Sequence, residues 1–177
     1  MVNWSDTEVI DLIKSSSDAE KGYRMLISQY KVSLYWHIRR MVSNHDDADD
    51  ILQNTFIKVF KHIEQFKQES SLKTWLYRIA TNESMSFLNN PKNKGFDSLD
   101  DVQNAVTADT LTDYDDISGK LVKAIDTLPA KQKAVFIMRY YDEMPYHEIA
   151  EITGTSEGAL KASFHLAAKK IETYLTN

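Results

Sequence analysis

The sequence contains no cysteine, only five glycines and three prolines, and no long hydrophobic run. Each shortage excludes a class of molecule. Without cysteine there are no disulfides and no thiolate metal sites, which fits a reducing, cytoplasmic setting. So few glycines and prolines cannot punctuate the many turns of an all-β fold. Residues Met1 to Asp6 carry neither a basic flank nor an apolar stretch, so no signal peptide is expected. No segment reaches the roughly 18 apolar residues of a spanning helix, so no membrane insertion is expected. A glycine-flanked serine elbow and a phosphate-cradling glycine loop are also missing. The five histidines, His37, His45, His62, His147 and His165, are scattered without metal-ligand spacing. No metal, cofactor or catalytic group is expected, and the chain does not read as an enzyme.

What is present is apolar periodicity and an uneven charge. A hydrophobic content of 42% over 177 residues suffices for one ordinary domain or two small ones. The net charge of −5 sits in one place. Residues 1–94 and 120–177 each net +1, whereas 95–119 hold seven Asp and no base. The charge of the whole chain therefore says little about what either half binds.

Spacings of three and four dominate, and the chain reads as all-α. Ser5-Asp6-Thr7-Glu8 forms a capping box ahead of Val9, Leu12 and Ile13. Asp18 can cap a second helix carrying Tyr23, Leu26, Ile27, Tyr30, Leu34, Ile38 and Met41, which Asn44-His45-Asp46 breaks. A third helix carries Ile51, Leu52, Thr55, Phe56, Val59, Phe60 and Ile63. Ser70 or Ser71 caps a fourth, with Leu72, Trp75, Leu76, Ile79, Ala80, Phe87 and Leu88. From Asn89 to Gly119 the pattern dissolves, and repulsion among the Asp residues favours an extended linker. Periodicity resumes with Ile117, Leu121, Val122, Ile125 and Leu128. Pro129 breaks it, and helices follow over 131–141, 146–153 and 156–176. Two helical domains, 1–92 and 117–177, are thus expected, joined by a flexible acidic linker at 93–116.

Tyr146 to Ser156 has the grammar of a helix-turn-helix. Ala150 is small enough for close helix approach, Gly154 can take a positive φ, and Ser156 can cap the second helix. Leu160 and Phe164 would anchor that helix, leaving Glu157, Lys161, Ala162 and His165 outward, with Lys169 and Lys170 within reach of phosphates. A plain helical hairpin uses the same apolar spacing.

Taken together the motifs resemble the two-domain sigma factors of the extracytoplasmic-function (ECF) group of the sigma-70 family. Asp47-Ala48-Asp49-Asp50-Ile51-Leu52-Gln53-Asn54-Thr55-Phe56 resembles one family segment, and Leu72-Lys73-Thr74-Trp75-Leu76-Tyr77-Arg78-Ile79-Ala80-Thr81-Asn82 another. In the second half, Ala124 to Pro129, Val135-Phe136, and Tyr146 to Ala150 with Gly154, Ser156, Gly158 and Lys161 resemble the promoter-reading region. The resemblance implies a sigma region 2 bundle at 1–92 and a sigma region 4 helix-turn-helix at 117–177. It implies binding to the RNA polymerase core, at the β′ clamp through Asp47, Asp49, Asp50, Ile51, Gln53, Asn54 and Ile57, with the β flap as a further contact. It implies melting and holding of the minus-ten DNA by Lys73, Thr74, Tyr77, Arg78, Thr81 and Asn82. Base stacking there is worth about 1–3 kcal/mol per base. Trp75 reads as core. Duplex minus-thirty-five DNA would be read by Ser156, Glu157, Gly158, Ala159, Lys161, Ala162, His165 and Lys169. An anti-sigma partner is a further implication, as is passage of the acidic linker through the polymerase RNA path; a solvated spacer explains the linker equally.

The chain departs from the family pattern in two places. Ser86, Asn89 and Asn90, with Lys92 and Lys94 later, stand where the family has an Asp and then basic residues after Asn82's position. Ser163 and Leu166 replace arginines of the recognition helix. Fewer cations predict a shallow salt dependence.

Two other classes compete. An autonomous helix-turn-helix regulator would bind duplex operator without polymerase. A magnesium-dependent prenyl-diphosphate enzyme would use Asp46, Asp47 and Asp50 as a DDxxD motif, but needs a larger bundle and a second metal motif.

Overall fold

Side-chain caps decide where the helices begin. The computed structural model describes residues 4–15, 17–90 and 117–176, which form eight α-helices, one 3-10 turn and no strand. Ser5 Oγ accepts from the Glu8 amide at 3.2 Å and opens α1 (Asp6–Lys14). Helix α2 (Ala19–Val42) follows Asp18, whose side chain makes no cap hydrogen bond. It ends at Ser43, which takes a left-handed φ of 62°. Asn44 Oδ1 accepts from the Asp46 amide and starts α3 (His45–His62), and a 3-10 turn, Ile63–Gln65, closes it. Of the two candidate serines, Ser71 is the cap: its Oγ accepts from the Thr74 amide at 3.0 Å and starts α4 (Leu72–Asn89).

These four helices bury Ile10, Leu26, Leu34, Ile38, Met41, Ile63, Leu72 and Leu76 completely. Helix α1 lies directly on α2 at Gly22. A Cβ there would meet Ile13 at 2.7 Å, so only glycine permits this approach.

The second half comprises α5 (Ile117–Asp126), α6 (Ala130–Tyr140), α7 (Tyr146–Thr153) and α8 (Glu157–Thr176). Gly154 takes φ +66° between α7 and α8, with open space around its α-carbon, so backbone conformation alone requires the glycine. Ser156 Oγ accepts from the Ala159 amide at 3.4 Å at the start of α8. Leu160 is buried, as the helix-turn-helix grammar requires.

One expectation needs adjustment. Val122 belongs to the apolar pattern, yet it is 54% exposed. Helix α5 packs mainly on α8, through Ala124 and Ile125, and Leu128 beyond its end joins the same small core; Val122 lies off that seam.

The two halves share a core. Helix α6 is apolar all round over Ala134, Val135, Phe136, Ile137 and Met138, so it must be buried on more than one side. Phe136 stacks on Phe164 of α8 with centroids 5.5 Å apart. Ile137 and Met138, with Met144, Ile149, Ile152 and Leu160, instead join the cluster built by α1 to α4. The expected linker, 93–116, lies outside the described residues.

Candidate nucleic-acid and partner interfaces

Three surfaces carry the residues singled out above. The first is the outer side of α3. Asp49, Asp50, Gln53, Asn54 and Ile57 are exposed, and their spacings of three and four make one row. Four Asp gather at the helix N-terminus, where the macrodipole favours them. Asp47 is half-buried, and its carboxyl titrates above its ordinary range because of that burial, with Asp50 and Asp46 adding repulsion. Ile51 is 4% exposed and packs inward with Leu52, Thr55 and Phe56, so it supports the row from beneath. His45 Nε2 lies 3.5 Å from Asp49, while its Nδ1 meets the Tyr35 hydroxyl at 2.6 Å.

The second surface is on α4, where position and availability part company. Asn82 is exposed and Lys73 and Arg78 are half-buried, but Thr74, Tyr77 and Thr81 are buried. The Thr74 hydroxyl lies 2.8 Å from Ser71 Oγ within the cap. Trp75 is half-buried and packs its ring on Phe66, a core role as its pattern implies. The Tyr77 hydroxyl is pushed up to about 12 by burial, with the Asp142 carboxylate adding to the effect. Asp142 lies just after α6 and is nearly buried. It accepts a 2.6 Å hydrogen bond from His37 Nδ1, and His37 Nε2 meets the Thr81 hydroxyl at 3.0 Å. Arg78 Nη2 donates to the Glu151 carbonyl of α7 at 2.8 Å. An open cleft of about 700 Å³ remains alongside, with Trp4, Trp36, Arg40, Lys73 and Tyr141 in its wall.

The third surface is α8. Ser156, Glu157, Gly158, Ala159, Lys161, Ala162, His165 and Lys169 are all exposed on or just before this helix. Lys161 lies 3.8 Å from Glu157 and 5.6 Å above the Tyr146 ring, so its charge is held over the helix start. Lys170, by contrast, donates to Gln132 at 3.1 Å. Leu166 is 51% exposed on this helix, an apolar group among polar ones.

Comparison with known proteins decides what this arrangement belongs to. Residues 26–92 match sigma-70 region 2, and residues 118–171 match sigma-70 region 4. The RNA polymerase sigma factor SigV of Bacillus subtilis is 30% identical over 151 residues, covering 85% of this chain and 89% of SigV. The chain belongs to the ECF group of the sigma-70 family. The ECF RNA polymerase sigma-E factor of Haemophilus influenzae is 29% identical over 166 residues, covering 86% and 87% of the two chains. The fold matches the sigma factor RpoE, crystallised in complex with the anti-sigma factor NepR from Bartonella quintana, with a TM-score of 0.70 at 24% identity. That match covers 88% of this chain and 98% of the other.

In these terms α2 from residue 26 to α4 belong to region 2, with α1 packed on α2 beside it, and α5 to α8 carry region 4. Sequence reasoning passed over the residues that join them: His37, Arg40, Tyr141 and Asp142. His37 did carry a signal. It sits in the buried stripe of α2 between Leu34 and Met41, and a fully buried imidazole requires partners for both nitrogens. No signal named Asp142 as the partner.

Proposed function

We propose that this protein is a promoter-specificity subunit, which binds bacterial RNA polymerase core and directs transcription initiation. The observation that carries this reading is the presence of both sigma regions, 26–92 and 118–171, in one chain and in family order. The exposed row Asp49, Asp50, Gln53, Asn54 and Ile57 is the surface offered to the β′ clamp. Its mix of carboxylates, amides and one exposed isoleucine suits a basic partner with an apolar patch. Helix α4 holds the separated minus-ten strand through Lys73, Thr74, Tyr77, Arg78, Thr81 and Asn82. The outward row of α8 reads the minus-thirty-five duplex in the major groove, with Lys169 on a phosphate, and region 4 also meets the β flap. Synthesis of RNA belongs to the polymerase; the sigma factor contributes recognition and strand separation.

A cytoplasmic location follows from that partner, and among the described residues no helix is long and apolar enough to cross a membrane. Restraint by an anti-sigma factor is part of the same reading, since such a protein would cover surfaces of this kind.

Run-off transcription from a promoter-fragment library, with core polymerase and with or without the protein, tests the proposal. Specific transcripts that appear only with the protein are expected. Duplex binding by the protein alone, with no core binding and no transcripts, would replace this reading by an autonomous regulator.

A further inference from the structure

The outward face of α8 is divided between two kinds of side chain. Glu157, Lys161, His165 and Lys169 recur at a spacing of four and make a polar row. Ala159, Ala162 and Leu166 follow one another at spacings of three and four and make an apolar row beside it, also exposed. Leu160, Ala167 and Ile171, on the opposite side of the helix, are buried. Leu166 is 51% exposed and belongs to neither hydrophobic core, so it does not serve the packing of the fold. We propose that the apolar row is a thymine-reading stripe: Leu166, with Ala162 and Ala159, packs on the C5 methyl groups of thymines in the major groove of the minus-thirty-five duplex. The inference rests on the proposed assignment of α8 to that duplex.

The base edges offer such groups one partner. All four bases present hydrogen-bond donors or acceptors in the major groove, and thymine adds a methyl group. The side chains of Ala159, Ala162 and Leu166 neither donate nor accept. Against a G·C pair they would strip water from polar edges without replacing its hydrogen bonds, which disfavours that pair. Against thymine they cover an apolar group. From Ala159 to Leu166 the stripe runs about 10 Å along the helix axis, the length of about three base-pair steps.

The rest of the helix agrees with this reading. Helix α8 holds no arginine, so no guanidinium is there to select guanine through two hydrogen bonds. Cations stand near both ends of the stripe. Lys161 lies 3.8 Å from Glu157 at the helix start, and Lys169 is exposed one turn beyond Leu166, where it can meet a phosphate.

Removing single methyl groups from the DNA tests the stripe. Duplexes are selected from a random library by core polymerase with the full chain, and separately by the chain alone. Each thymine of the selected element is then replaced by deoxyuridine, which lacks only the C5 methyl. Binding is measured for the wild type, Leu166→Ala and Leu166→Met, with circular dichroism to verify that each variant is folded.

The stripe predicts thymines within about three adjacent base pairs of the selected element. At the position under Leu166, deoxyuridine should weaken wild-type binding about fourfold, the effect of one buried methyl group. Leu166→Ala should weaken binding to the thymine duplex by a similar factor and respond no further to deoxyuridine, because both changes remove the same contact. Leu166→Met, apolar and of similar volume, should keep the response. Wild-type binding unchanged by deoxyuridine at every position, or an equal loss in Leu166→Ala, would overturn the proposal. Run-off transcription on the same duplexes separates it from the sigma assignment. Core-dependent transcripts without a methyl effect sink the stripe alone. A methyl effect for the chain alone, without transcripts, leaves thymine reading standing and sinks the assignment. No specific duplex from either selection sinks both.

Discussion

Helices α4 and α8 both carry residues assigned to DNA, yet they present them differently. On α4, Lys73 and Arg78 meet groups of α7, Thr74, Tyr77 and Thr81 are buried and only Asn82 of the six is exposed, whereas α8 turns its row to solvent. The difference fits what each is proposed to bind. A duplex-reading helix presents short polar side chains to a groove, and those tolerate water while they wait. A strand-holding face needs aromatic and half-apolar groups for extruded bases, and leaving such groups exposed is costly. Region 4 lies against this side of region 2 through α6 and α7.

The sharpest way to break this comparison is to cut the shared core. Met138 is fully buried in the cluster that contains α2 and α4 residues. Met138→Ala should cost about 2–5 kcal/mol. Loss of the region 4 signal and the region 2 signal should move together in a denaturant titration. Two separate transitions, with only one displaced, would mean that the halves are stabilised independently.

The turn between α7 and α8 gives the next largest effect. Gly154 has positive φ and no neighbour within 4 Å, so a substitution there is strained by the backbone alone. Gly154→Val should destabilise by about 1–3 kcal/mol. Gly158, also in open space but within the first turn of α8, should behave oppositely. Gly158→Ala should stabilise by about 0.5–1 kcal/mol because it removes backbone freedom from the unfolded chain. Paired thermal melts decide it; equal signs would mean that the turn is not held as described.

How much of this was legible beforehand depends on the range of the interaction. Caps are local, so Ser5 could be read from its neighbours, Ser71 as one of two serines, and Gly154 from its place in an eleven-residue pattern, whereas Asn44 reads in the sequence only as a break. The exposed rows of α3 and α8 follow from spacing once the apolar stripe is placed. What periodicity does not carry is the identity of the opposite surface. It shows that α2 buries a stripe, and is silent on Asp142, 105 positions away, as the partner of His37. The same limit applies to α4, whose Tyr77 and Thr81 are buried beside His37 of α2, a neighbour that no local pattern encodes. Val122 erred the other way: it matched the stripe, but no helix came to cover it.

Alkaline titration probes the covered face without any mutation. The Tyr77 hydroxyl is pushed up to about 12 in the fold by burial and the nearby Asp142 carboxylate, against an ordinary value near 10. The unfolded chain therefore loses this proton first as the pH rises. Its contribution to stability is complete below pH ~10 and is lost as the pH climbs toward about 12. Tyr30, also pushed up to about 12 by burial, acts in the same direction. Tyr77→Phe should flatten part of that alkaline loss; an unchanged slope would mean that the hydroxyl is not desolvated on this face.

The smallest effect sharpens the contrast between the helices most directly. Each phosphate neutralised by a side chain contributes about −0.9 to the slope of log K against log salt for duplex DNA. Lys169 is exposed on α8, so Lys169→Ala should make that slope shallower by about 0.9 for the free protein. Leu166 stands exposed on the same helix, and Leu166→Arg should steepen the slope by about the same amount, about 0.9. Arg78→Ala should leave the duplex slope of the free protein unchanged, because its guanidinium is committed to Glu151. An Arg78 effect as large as that of Lys169 would place α4 on the duplex too, and the division between a waiting helix and a covered one would fall.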